Sequence, residues 1–129
     1  MAKIGVVSIR AWSNVFFLAP LFLAIYFQIW LTTVLLVFTI AVSFAYHLSR
    51  EKRLAIADVV IAWALIASNI LLCYRGNFSS PYFELTMLFV AIGVYFKYRH
   101  HRKDLDMDHG LWHFFSSLIT IFSILTFAY

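Results

Sequence analysis

The sequence predicts an all-α integral membrane protein, a bundle of five transmembrane helices with the N-terminus inside and the C-terminus outside. Three observations predict it. The chain is 64% hydrophobic and only 12% charged, with a mean hydropathy of +0.87, whereas a soluble domain is about half apolar and about a quarter charged. Its apolar runs reach the ~20 residues that a helix needs to cross about 30 Å of hydrocarbon. Its basic residues gather in the short stretches between those runs, the pattern that orients membrane helices.

The 129 residues make one domain and leave no room for a separate soluble module. A formal net charge of +4 would point to nucleic acid in a soluble domain. Here topology accounts for it, and no nucleic-acid partner is expected. The single cysteine, Cys73, can form no internal disulfide and belongs to no CxxC motif, so it is expected to pack as a small apolar residue. The N-terminus reads MAKIGVVSIR with no A-x-A-type cleavage site after it, so the first span is expected to be a retained helix.

The predicted helices are 11–27, 30–48, 54–74, 82–98 and 109–128. The first two come from one apolar tract, 11–48. As one helix its 38 residues would be ~57 Å long at 1.5 Å per residue, nearly twice the hydrocarbon thickness of about 30 Å. The tract therefore splits near Tyr26–Trp30, where Gln28 is a polar break and Tyr26 and Trp30 suit an interface. Pro20 would kink the first of the pair. The third span, LAIADVVIAWALIASNILLCY, is continuous, and Asn69 in it is read as a helix–helix hydrogen bond. The fourth is entered through Ser79, Ser80 and Pro81, residue types that favour helix starts. The fifth runs from His109 to the end. The stripe of Phe16, Phe17, Phe22 and Phe27 is read as lipid-facing packing.

Loop charge supports five spans. With the N-terminus inside, Lys3, Arg10, Arg50, Lys52, Arg53, Lys97, Arg99, Arg102 and Lys103 lie on the inner side and only Arg75 on the outer. Four spans would move Lys3 and Arg10 outside and weaken the bias to seven against three.

That topology gathers polar residues at one depth. The second span ends at His47, the third begins just before Asp58, and the fifth begins with HGLWH at 109–113. Ser43, His47, Asp58, His109 and His113 each lie within ~10 Å of the inner end of a helix at 1.5 Å per residue. Residues four apart share a helix face, as Ser43 and His47 do, and as His109 and His113 do. A histidine pair at that spacing can bind one metal ion. His47 would bring the protein ligands to three, the number in catalytic zinc sites, with water in the fourth position. Bound zinc lowers the pKa of its water to about 7. Asp58 is the only acid within an apolar span, and such a group usually faces a polar cavity or a partner. It could hold that water and take its proton, while Ser43 could steady a developing oxyanion.

Each residue also has an ordinary structural reading. His109 follows the acidic stretch DLDMD, His47 precedes the basic loop SREKR, and Asp58 could pair with Arg50 or Arg53. A membrane serine such as Ser43 commonly bonds back to its own helix. His100 and His101 belong to the run KYRHHRKD, read as a solvated loop. Independent causes of this kind would not need to agree in depth.

The motifs resemble those of the CREST superfamily of membrane hydrolases, which includes the alkaline ceramidases, the progestin and adipoQ receptors and the myomaker-type proteins. The pattern is Ser-x-x-x-His late in one helix, Asp early in the next, and His-x-x-x-His at the start of the last. Here these are Ser43 with His47, Asp58, and His109 with His113. The short interval from His47 to Asp58 and the tryptophan in HGLWH look most like the ceramidase and myomaker branches. The resemblance implies zinc held by His47, His109 and His113, with Asp58 and Ser43 beside the hydrolytic water, and cleavage of an amide or ester bond in a lipid. The family has seven helices. Only 50 residues separate Asp58 from His109 here, room for one helix where the family has three.

The expected function is therefore a zinc-dependent membrane hydrolase acting on a membrane lipid, with a homo-oligomer as one way to complete the bundle. The alternatives are a non-catalytic membrane subunit or receptor-like protein with a structural zinc, and a haem-binding membrane protein using His47 with His109 or His113. A bacterial inner membrane is the expected location, with the endoplasmic reticulum or Golgi as the alternative.

Overall fold

The computed structural model describes residues 13–103 and 106–129, and within them the side chains of 13–98 and 111–129. The described residues are helical, with short connections and no strand. A 3-10 turn, Ser13–Phe17, runs directly into α1, Leu18–Tyr26; α2 is Trp30–Ser49, α3 Lys52–Arg75, α4 Tyr82–Lys103 and α5 Asp106–Ala128.

The 11–48 tract breaks at Gln28. Phe27 closes α1 by donating to Leu23 O at 2.9 Å, and Gln28 takes a positive φ of 58° that turns the chain back. The amide of Ile29 then bonds to Ala24 O at 2.8 Å, so the reversal leaves few backbone groups unmet. The link between α2 and α3 is tighter still. Arg50 is the left-handed C-cap of α2 (φ 61°), its amide donating to Tyr46 O at 2.7 Å, and α3 starts at Lys52. This places His47 and Asp58 at the same end of a hairpin. At the other end α3 finishes against α5. A Cβ on Gly76 would lie 2.1 Å from Thr126 O, so only glycine allows that approach.

α4 extends through the basic run to Lys103 rather than ending near 98. No glycine or proline interrupts YRHHRK, and lysine and arginine are good helix formers, so charge alone does not end the helix there.

Among the described residues, three helices are long and apolar enough to cross a membrane: Trp30–Ser49, Lys52–Arg75 and, within α5, Leu111–Ala128. The apolar stretch Ser13–Tyr26 is shorter, ~21 Å at 1.5 Å per residue. The packing is inverted relative to a soluble bundle. Large apolar side chains point outward, with Phe22 66% and Trp63 67% exposed. The interior carries small hydroxyl residues, including Thr32, Ser43, Ser68, Thr120, Ser123 and Thr126, around Leu36, Leu65, Leu72 and Ile124. Small residues and hydroxyls at helix contacts are how helices associate where apolar burial gives no net advantage. Thr32 and Ser68 bond across α2 and α3 at 2.7 Å. Asn69 Nδ2 donates to Thr120 Oγ1 at 3.1 Å across α3 and α5, the interhelical role its sequence position suggested. Cys73 is buried and unoxidised, with Sγ 3.7 Å from Ser123 Oγ.

Candidate functional site

One end of the bundle gathers the site. The 3-10 turn, α3 and α5 begin there, and α2 and α4 finish there. α2 supplies Ser43 and His47, both buried. The four-residue spacing puts them on one face, and that face turns inward. α5 supplies His113, also buried. The two imidazoles meet edge-on, with ring centroids 6.1 Å apart and planes at 62°.

That separation is slightly wider than a shared tetrahedral ion would set. Zinc–nitrogen bonds of ~2.0–2.1 Å put each ring centre roughly 3.2 Å from the metal, so two ligating rings stand about 5–6 Å apart. His109 lies one turn before His113 in α5, and its side chain is outside the described residues. Among the described residues no cluster of three His, Cys, Asp or Glu stands close enough to hold a metal ion. The described part of the predicted ligand set is therefore the His47–His113 pair.

Asp58 sits in the second turn of α3, half-buried. Among the described residues, Lys97 of α4 is near enough to act electrostatically on Asp58, and Ser43 lies near the same carboxyl. The sequence had suggested Arg50 or Arg53 as its partner and had assigned Lys97 to topology alone. Lys97 Nζ also lies 5.4 Å from the centre of the Trp112 ring, a cation–π contact. The same ring lies over Gly93 of α4, where a Cβ would stand in ordinary contact 3.4 Å from Trp112 Cζ3.

Ser43 departs from the ordinary habit of a helix serine. Thr39, Thr86 and Thr126 each donate to the carbonyl four residues earlier at 2.7–2.9 Å. Ser43 Oγ does not. It is fully buried, near enough to Asp58 to act on its carboxyl, and has no hydrogen bond of good geometry among the described residues. A buried hydroxyl left so costs roughly 1–3 kcal/mol, and such a group calls for a water, ion or ligand to meet it.

Ser13 was not singled out by the sequence. Its Oγ is 2.5 Å from His113 Nδ1, and both residues are buried. Phe17 from the same turn packs its ring on His113, with centroids 5.7 Å apart. The only sequence signal was a polar pair, Ser13 and Asn14, at the entry of an apolar run. Both are buried, where an interfacial entry would leave them wet.

A cavity of about 330 Å³ lies between α3, α4 and α5, lined by Ile66, Ile70, Met87, Val90, Trp112 and Ile119 among others. Asn69 also lines it, and its Oδ1 has no hydrogen-bond partner among the described residues. Trp112 joins the cavity to the histidine end of the bundle. Comparison with protein-family models, with curated proteins and with solved structures finds no match.

Proposed function

We propose that this chain is a zinc-dependent membrane hydrolase that cleaves an amide or ester bond of a lipid, similar in its site to the CREST superfamily. One observation carries the reading. Two buried imidazoles from different helices meet edge-on at 6.1 Å, and a half-buried carboxylate and an unsatisfied buried hydroxyl stand at the same end of the bundle. The topology proposed with it has five spans, the N-terminus and the site on the inner side, and the C-terminus outside. The nine-to-one distribution of basic residues supports that orientation.

His47 and His113 would hold the metal, with His109 as third ligand. Zinc, when bound, supplies Lewis-acid chemistry, polarising a carbonyl and acidifying water at neutral pH. Hydrolysis adds water across the acyl bond, its hydroxyl to the acyl carbon and its proton to the leaving nitrogen or oxygen. Asp58 accepts the proton of the attacking water and returns it to the leaving group. Ser43 donates its hydroxyl to the oxyanion that develops on the acyl oxygen. Lys97 balances the carboxylate so that two charges, not one, lie at the bundle's edge. The neighbouring cavity would receive the apolar part of the substrate.

The test is metal analysis paired with hydrolysis. Protein purified in detergent should carry close to one equivalent of zinc, and His113→Ala should remove it. Release of fatty acid from a panel of acyl amides and acyl esters should depend on that zinc. Less than a tenth of an equivalent, unchanged by His113→Ala, would sink the reading. Zinc retained with no hydrolysis across the panel would favour a structural zinc in a receptor-like protein.

A further inference from the structure

We infer that Ser13 is a positioning residue for His113: its hydroxyl accepts a hydrogen bond from Nδ1–H and so commits Nε2 to the metal. The inference rests on the reading of His113 as a ligand, and it adds the first turn of the chain to the site.

The geometry is specific. Oγ and Nδ1 are 2.5 Å apart, between residues separated by 100 positions in sequence. Both side chains are buried, so no bulk water competes for the contact. A neutral imidazole carries one proton, and the nitrogen that binds metal must be the other one. A hydroxyl at Nδ1 that acts as acceptor therefore keeps the proton on Nδ1 and the ring lone pair on Nε2, the form in which Nε2 binds an ion. Ligating histidines generally donate their second ring N–H to an outer partner, which fixes tautomer and ring angle and raises ligand basicity. Carboxylates and backbone carbonyls commonly play that part, and here a serine from another helix stands in it. Phe17 braces the same imidazole, with centroids 5.7 Å apart. Ser13 and Phe17 both belong to the 3-10 turn Ser13–Phe17. One short turn thus holds the imidazole by its edge and by its ring, while the ring also lies beside His47.

The other polarity, with Ser13 donating to Nδ1, would put the proton on Nε2 and block ligation there. The two arrangements give different spectra, so the proposal can be decided without measuring turnover.

Full-length protein in detergent would be loaded with zinc for affinity by chelator competition, and with cobalt for visible absorption. Ser13→Ala should weaken zinc binding by roughly 10–100-fold, the usual effect of losing such a partner, and should change the cobalt absorption bands. Ser13→Thr, which keeps the hydroxyl, should restore both. Nitrogen-15 spectra of zinc-loaded wild type should show His113 protonated at Nδ1 and bound through Nε2. An unaltered affinity and cobalt spectrum in Ser13→Ala, or metal on Nδ1 in the wild type, overturns the assignment to Ser13 and leaves the metal centre standing. Wild type that takes up no zinc overturns both. If Ser13→Ala does not fold, the wild-type nitrogen-15 spectrum decides alone.

Discussion

The hydroxyls along α2 are in opposite conditions at its two ends. Thr32, near the start, bonds across to Ser68 at 2.7 Å, and Thr39, midway, returns its proton to Leu35 O at 2.7 Å. Ser43, one turn further on, is as buried as Thr32 but has no such bond. The same contrast divides α5. Thr120 and Thr126 bond back to their own helix at 3.1 and 2.7 Å, whereas His113 reaches out to Ser13 and lies beside His47. The middle and far end of the bundle use polar atoms to join helices and satisfy nearly all of them locally. The near end turns its polar side chains toward one another, Ser13 on His113 and His113 beside His47. A protein that needed only cohesion would have no reason to treat the two ends differently.

The contrast can be broken most forcefully at Asp58. Asp58→Asn should lower hydrolysis by about 10²–10⁴-fold, the range for a lost general base, with zinc content unchanged by metal analysis. Ser43→Ala should reduce the rate by roughly 10²-fold if the hydroxyl steadies the oxyanion. The thermal midpoint should hold or rise, since an unsatisfied buried hydroxyl is removed. At the far end the order reverses. Gly76→Ala drives a Cβ onto the backbone of Thr126 and should cost about 1–3 kcal/mol of stability, read as a lower unfolding midpoint in detergent, without a change in zinc affinity. Thr32→Val should cost least, about 0.6 kcal/mol, the average for a hydrogen bond between membrane helices. A large stability loss from Ser43→Ala, or a rate loss from Thr32→Val, would erase the distinction between the ends.

Much of this was legible in the sequence because the signals were about length and spacing. The 11–48 tract was too long for one helix, and Gln28 was the residue that broke it. That Ser43, His47, Asp58 and His113 lie at one end of the bundle was legible through the four-residue period and the polarity of helix ends. Two contributions were not. Lys97 looked like any inner-loop cation, because its reach to Asp58 depends on how α4 packs beside α5, which sequence spacing does not encode. Ser13 gave almost no signal, because its contact spans 100 positions and a serine at the head of an apolar run has many ordinary explanations. Asp58 had two nearby arginines as candidate partners, whereas the cation that influences it among the described residues is a lysine from another helix. The span read over 82–98 stops where hydropathy ends, and α4 continues to Lys103 because backbone propensity does not end there.

The inverted packing has a consequence for how this chain tolerates change. In a water-soluble bundle, greasy residues are confined to the centre and substitutions at the rim pass unnoticed. Here the rim is where Phe22 and Trp63 sit, and the centre sets threonine and serine around a few aliphatic side chains. A saturation scan should therefore give the photographic negative of the usual map. Leucine, isoleucine and phenylalanine would exchange freely on the outside. One added methylene at Thr120 or Ser123 would be felt across the whole bundle.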